Sequence, residues 1–368
     1  MPNKKKNVTF GDIMGILDGK GDIDCSNRSL TSLEGCPEIV LGNFNCSGNN
    51  LTTLDGAPKT IEGDFDCSHN RLISLSSGPQ EVYGDFDCSD NSIISLNGVS
   101  KKIKGSFDCS DNKLTTLDGA PYKIGGDFSC ASNNLSSLEG APNEVGDFDC
   151  SHNLLTSLLG GPHEVHGDFD CCDNQLTSLI GSPVFVKGDF LCSKNHLETL
   201  KNGPIVIHGT YGCSFNKLTS LKGVPKEIEG NFNCSHNQLA SLKSAPYETE
   251  NFDCSHNELI SLEYAPKKVK GDFDCSDNQL ASLKGSPKKI KGNFNCSGNR
   301  LDSLKGAPRK VKGDFDCSNN HITTFESAIK KIGGNFICIE NDATLEESVF
   351  RTSCIIKGNI VQNVEVSQ

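Results

Sequence analysis

A cysteine recurs through this chain at Cys25, Cys46, Cys67, Cys88, Cys109, Cys130, Cys150, Cys171, Cys192, Cys213, Cys234, Cys254, Cys275, Cys296, Cys317 and Cys338, 16 times in all. Thirteen of the 15 intervals are 21 residues and two, Cys130 to Cys150 and Cys234 to Cys254, are 20. Each copy repeats the same wording, as in GDFDCSDNQLASLKGSPKKIK from Gly271 to Lys291. A period this short restricts the fold to a solenoid, because one unit can bury its apolar side only against its neighbours.

Within the unit, Phe273 and Cys275 alternate with Asp272, Asp274 and Ser276. Alternation by two predicts a short strand with Phe and Cys inward and Asp, Asp and Ser outward. Asn278 follows, and Asn recurs there in most copies (Asn70, Asn91, Asn112, Asn174, Asn195, Asn237, Asn299). A buried Asn in every turn needs partners, which stacked backbone groups of the adjacent turn can supply. Leu280 and Leu283 add core, Gly285 and Pro287 bend the chain back, and Ile290 closes the apolar ring. Sixteen strands at about 4.8 Å per step predict one elongated domain on the order of 75 Å long. Its core is a thin stripe, for which a hydrophobic content of 35% suffices.

The pattern F-x-C-S-x-N-x-L-x-x-L-x-G-x-P-x-x-I/V resembles the leucine-rich repeat, with Phe in the place of the first inward Leu. The SLxGxP arm is similar to the short repeats of bacterial leucine-rich effectors. The wording GDFDCSxNxLTSLxGAP resembles repeat proteins encoded by large tailed bacteriophages and some bacteria. The resemblance runs from roughly Gly21 to Gly358. It implies a solenoid of about 16 leucine-rich-type repeats, with a parallel β-sheet on one face, turns and irregular arms on the other, and a cap at each end. Residues 1–20 lie outside the repeat, and the helical spacing of Phe10, Ile13, Met14, Ile16 and Leu17 predicts a short amphipathic helix capping the first turn. The solenoid itself occupies 21–338. Residues 339–368 read as a C-terminal cap and tail, with a short helix in ATLEESVFRTSC and a closing strand from Ile355, Ile356, Ile360 and Val361. The first copy is degenerate, with Ile23 for Phe and Arg28 where Asn belongs.

Nineteen Cys would ordinarily raise disulfides or zinc, but 16 of them sit in register on neighbouring strands. There a Cys acts as a small apolar residue. Cys36, Cys172 and Cys354 fall outside the ladder, and Cys172, in the place of an outward Ser, is the expected exposed thiol. With no CxxC, no metal or other cofactor is expected, and thiols in this number favour a reducing cytoplasm, the host's if the chain is phage-encoded. MPNKKKNVTF lacks the apolar run of a signal peptide, and no stretch reads as membrane-spanning, so no membrane partner is expected. The net charge of -12 argues against nucleic acid as a general partner and for a protein with a basic or mixed surface. Nothing in the repeat speaks to oligomeric state.

Function must lie on the outward columns. Two of them are carboxylates, before the Phe (Asp64, Asp85, Asp168, Asp272) and after it (Asp149, Asp170, Asp253, Asp274). Like charges one step apart repel by roughly 1 kcal/mol in water, which keeps strands soluble or presents a surface to a basic partner or a hard cation. Asn43, Asn45, Asn231, Asn233, Asn293 and Asn295 interrupt them. The opposite arm turns basic late in the chain, at Lys267, Lys268 and Lys270, then Lys288, Lys289 and Lys291, then Arg309, Lys310 and Lys312, then Lys330 and Lys331. No aromatic residue is interleaved there to stack a base. The position between Ser and Asn varies, holding His69, His152, His236 and His256 as well as Asp90, Asp111, Lys194 and Phe215.

The ninth and tenth copies break the acidic pattern. Leu191 stands where Asp is usual, Thr210 and Gly212 replace both acids of the next copy, and Phe215 takes the variable outward place. Lys194, His196 and Lys217 lie alongside, and Tyr211 replaces the inward Phe with its hydroxyl reaching a partner at the edge. An apolar spot framed by charge has the make-up of an interface core, and Asp149, Asp170, Asp253 and Asp274 are the next candidates. No catalytic constellation stands apart from the repeat, and no non-repeat segment is long enough for the Cys-bearing catalytic domain of the bacterial effectors. The reading is a non-enzymatic protein-binding scaffold. The phage resemblance implies a protein that binds and inhibits a host or defence protein. The alternatives are a structural or accessory virion protein and an acidic DNA mimic.

Overall fold

The structure is a computed structural model that describes residues 7–325, 329–343, 346, 350 and 353–363. The chain forms two compact units, Met1–Leu176 with Ile180–Lys187, and Thr177–Leu179 with Gly188–Gln368. Each is a parallel β-solenoid, and together they carry the expected 16 or so turns. In each turn a two-residue strand starts at the Phe position and pairs in register with its equivalents, as Phe65 does with Phe44 and Phe86, and Phe273 with Phe252 and Phe294. Most turns add a second two-residue strand on the arm, such as Lys289–Ile290, paired with Lys310–Val311. Much of what reads as irregular arm is thus parallel strand, a narrower second sheet broken into runs of four, four and six strands.

The core is the predicted one. Phe, Cys and both Leu columns are buried throughout, as in Phe273, Cys275, Leu280 and Leu283, and Ile290 closes the ring from the second sheet. Successive Phe rings pack at 4.9 Å (Phe65–Phe86) to 6.1 Å (Phe44–Phe65). Burying one such side chain contributes about 1.5–3 kcal/mol. The ladder cysteines are buried and reduced. Several point Sγ at a carbonyl of the next turn, as Cys213 does at Asn233, 3.3 Å away.

Asn278 shows what holds one turn to the next. Its side-chain N–H groups donate to the carbonyls of Cys254, Cys275 and Ser276 at 3.0, 3.2 and 3.0 Å, and its carbonyl oxygen accepts the Leu259 N–H at 2.9 Å. One buried amide therefore satisfies four backbone groups drawn from two turns. Asn49 does the same where the degenerate first copy lacks its Asn, accepting from Arg28 and Leu30.

Two expectations are corrected. The Ser after the Cys is buried or half-buried, not outward; Ser276 and Ser68 are buried, Ser47 and Ser89 half-buried. The strand ends before it, so alternation stops, and the chain turns with the Ser N–H and hydroxyl donating to the preceding Asp; Ser276 gives both to Asp274 at 2.8 and 2.6 Å. Nor are the acids before the Phe free. Asp64 accepts the N–H of Asp85, and Asp272 that of Asn293, so each side chain clamps the backbone of the next turn. The Gly ahead of this position has no room for more: a side chain on Gly292 would stand 2.7 Å from the Gly271 carbonyl carbon and collide with the Asp272 carboxylate.

Near the N-terminus, the helix Phe10–Met14 starts at a Thr9 capping box and ends sooner than its spacing predicts. Ile13 is exposed, Ile16 fully so, and only Phe10 is buried, packing its ring 6.2 Å from Phe44. Phe10 thereby stands in for the Phe missing at Ile23. At the other end Ile355–Ile356 and Ile360–Val361 add a strand to each sheet. The helix expected over ATLEESVFRTSC falls largely outside the described residues.

Replacing Asn278 by Ala takes a partner from the Cys254 and Cys275 carbonyls and the Leu259 N–H in a dry interior, while the Ser276 carbonyl keeps the His256 N–H, so it should cost at least about 2 kcal/mol. A urea titration of the full chain measures it, and a loss under about 1 kcal/mol would refute the clamp. Burial drives the ladder thiols up, to about 12 at Cys25 and far above the usual range at Cys213. Cys172 and Cys36 alone among the cysteines are not buried. Cys36 is also pushed up by burial. Native-state alkylation should therefore modify Cys172 first, then Cys36, and spare the ladder until the chain unfolds. Rapid labelling of ladder thiols in the folded protein would contradict the packing.

Candidate protein-binding site

Leu191, Tyr211 and Gly212 of the ninth and tenth copies lie on the larger sheet, and Thr210 immediately precedes it. Leu191 is half-buried and lies over Gly212, where an added Cβ would stand 3.0 Å from its methyl. Gly212 is buried and Thr210 half-buried, the Thr210 N–H donating to Asp189 as the clamp requires. With no Asp at 191 or 212, the Ser193 hydroxyl takes over, accepting from the Ser214 N–H at 3.1 Å and lying 3.0 Å from its hydroxyl. Tyr211 is wholly buried. Its hydroxyl lies where a Cβ on Gly203 would be 3.2 Å away, so it belongs to the core and does not reach an edge. Val206 on the second sheet and Ile205 just before it are also exposed.

Phe215 is placed by a different device. The residue two after each Cys has a left-handed backbone: Asn27 at φ 53°, Asp90 at 50°, His152 at 54°, Lys194 at 55°, Phe215 at 53°. This corner swings the following Asn inward. Asn, Asp, Gly and His tolerate such φ, which accounts for the scattered His without any metal. Phe215 is the one apolar occupant and is 49% exposed. Its ring stacks on His236 at 4.0 Å, and His236 stacks on His256 at 4.1 Å, which pairs with Asp277 at 3.4 Å. Three rings on successive turns thus form a raised ridge on the corner, with exposed Lys194 next in the column and exposed Lys217 and His196 two residues further on. His236 and His256, placed by sequence in the same variable outward column as Phe215 and taken as surface variation, join the site here. Their matching offset from Cys was the available signal.

Asp149, Asp170, Asp253 and Asp274 are half-buried. Each caps the residue two ahead; Asp149 accepts the Ser151 N–H and Asp253 the Ser255 N–H and hydroxyl. Burial raises the Asp170 carboxyl above its ordinary range, with Asp149 adding to it and the Cys172 N–H opposing. Among the described residues no cluster of three or more His, Cys, Asp or Glu is placed to hold a metal ion, and no helix is long and apolar enough to cross a membrane.

No protein-family model matches the chain, and no curated protein matches its sequence. Among solved structures it is similar to YopM, a leucine-rich effector protein from Yersinia pestis, at a TM-score of 0.57 and 18% identity over 93% of this chain and 88% of that one. YopM from Yersinia enterocolitica WA-314 is matched at a TM-score of 0.48 and 18% identity, covering 93% and 91% of the two chains. The functional domain of InlJ from Listeria monocytogenes, which includes a cysteine ladder, is matched at 0.48 and 19% identity over 89% and 75%. The likeness to the Yersinia pestis protein shows the fold, a leucine-rich-repeat solenoid.

His236 has a buried Nδ1 with no hydrogen-bond partner. Burial, and then the neighbouring His256, hold its proton affinity below the ordinary 6.5 against the pull of Asp253 and Asp277. The folded state therefore takes up this proton less readily than the unfolded chain. The neutral ring's contribution is complete above pH 6.5 and is lost as pH falls below it towards the depressed folded value. Melting temperature should drop over that window, and His236→Gln should flatten the drop. An unchanged slope in the variant would show that the ring is not desolvated by the stack.

Proposed function

We propose that this chain is a non-enzymatic protein-binding scaffold whose interface is centred on the ring ridge of Phe215, His236 and His256. Leu191, Thr210 and Gly212 provide an adjoining stretch free of acids, and Lys194, His196 and Lys217 provide the charged rim. One observation carries the reading. Phe215 holds a half-exposed ring on a left-handed backbone, at a corner where Asn, Asp or Gly would be relaxed. A left-handed conformation costs a residue of this kind about 1–2 kcal/mol. Strain kept at an exposed aromatic points to use, since folding alone would favour its replacement. Each unit also carries acidic columns of its own, and Asp149 with Asp170, or Asp253 with Asp274, are the next candidates for contact with a basic partner. A phage origin and inhibition of a host or defence protein rest on the repeat wording alone, and the ends at 1–20 and 339–368 serve as caps in this reading.

The variant Leu191→Asp with Phe215→Asp tests it. Asp at 215 is at ease with positive φ, as Asp277 is, and Asp at 191 restores the Ser193 cap, so stability should hold or rise by up to about 1 kcal/mol. Pull-down from a bacterial lysate should recover one stoichiometric partner with the parent chain and lose it with the variant. Equal recovery by both sinks the site. Recovery of the chain in purified virions favours the accessory role, and capture of DNA-binding proteins alone favours the mimic.

A further inference from the structure

We propose that the second unit carries a separate site for single-stranded nucleic acid, in the groove that runs from Tyr264 and Tyr247 along the lysine rows of the second sheet. The rows follow from register. Lys268, Lys289, Lys310 and Lys331 occupy the same position in successive strands of this sheet. With about 4.8 Å between strands, like charges stand one step apart over four turns. The residues one before and two after each extend this to three parallel rows, from Lys267 and Lys270 onwards. All are exposed, and among the described residues only Lys268 and Lys270 meet a carboxylate, both on Glu248. Unpaired rows of one sign repel themselves, and a polyanion removes that repulsion.

The groove beside the rows is about 1030 Å³, floored by Val269, Pro287 and Ile290 between lysines. A second groove of about 730 Å³ shares Tyr247, Lys267 and Gly285 with it, so the two are continuous. This second part holds Tyr264 and Tyr247, 58% and 55% exposed. Tyr264 has a φ of 71° at the corner where Gly285 and Gly306 stand in later turns. An aromatic held there is a second instance of strain at an exposed ring, independent of Phe215. Tyr247 stands in the Lys267 row one turn earlier, and Tyr264 lies at the corner three residues before Lys267, so the turns bring both to one groove.

Lysine rows fit any polyanion. Planar faces at one end select a polyanion with a ring on every unit, which a nucleic acid strand has and an acidic peptide or lipid headgroup lacks. Its bases must be unstacked to reach tyrosine, so the strand is single. Point-charge lysines, with Arg309 the one guanidinium in the rows, make the contact largely sequence-tolerant. The net charge of -12 does not oppose it, because the acids are concentrated on the other sheet and the charge is divided by face.

Fluorescence anisotropy of the full chain with a labelled oligothymidylate of about twelve nucleotides, between about 50 and 200 mM salt, reads this directly. Lys289→Glu with Lys310→Glu should weaken binding at least about tenfold and reduce the salt slope by about 1.4, two phosphates at about 0.7 each. Tyr247→Ala with Tyr264→Gly should weaken it at least about fivefold and leave the slope alone. Gly at 264 relieves the backbone, so that variant stays folded. No binding at about 50 mM salt overturns the proposal, as does binding indifferent to the charge reversal. Equal affinity for polyaspartate overturns it in favour of an acidic protein. Lysine-dependent retention on phosphatidylserine vesicles without oligonucleotide binding overturns it in favour of a membrane surface.

Discussion

One side-chain amide per turn decides everything else. Strands of two residues cannot hold a sheet by their own hydrogen bonds, and the corner after each Cys leaves carbonyls and an N–H facing the core. Asn278 and its equivalents close that account from inside, each tying its own turn to the one before. The geometry is possible because the residue ahead of Asn accepts a left-handed backbone. Phe and Cys then fill the space the corner leaves. Without the Asn, the aromatic and thiol columns would pack against unsatisfied peptide groups, and burial would not offset their desolvation.

A second layer of support lies outside. The side chain before the Phe accepts the N–H of its counterpart one turn on, and in most turns the side chain after the Phe caps the Ser. Both tasks need only an oxygen. Asp64, Asn43 and Ser106 perform the first interchangeably. What looked like two columns of charge is two columns of acceptors, many of which happen to be charged.

That distinction explains how much was legible. Period, strand face and core follow from which residue types recur, so Phe273, Cys275, Leu280 and the reduced cysteines could be read directly. The Asn ladder could also be anticipated, since a recurrent buried amide must find partners. The Ser column and the role of the acids could not, because alternation predicts a direction but not where a strand stops, and a carboxylate reads as charge before it reads as acceptor. Phe215 was visible as an oddity. His236 and His256 were visible in its column, but the contact of the three rings was not, because it depends on the geometry of the common corner. Tyr247 and Tyr264 sit at different offsets in their copies, and their shared groove depends on how the arm folds.

The acceptor columns leave the protein's electrostatics unusually free of its architecture. Any position there can exchange Asp for Asn at constant geometry, so isoelectric point and colloidal behaviour can drift, or be engineered, across a wide range on an unchanged frame. The corner two after each Cys offers a similar liberty, one side chain per turn whose identity the core does not read. A lineage that multiplies such turns gains blank addresses at a fixed pitch, and new recognition can be written on them one turn at a time.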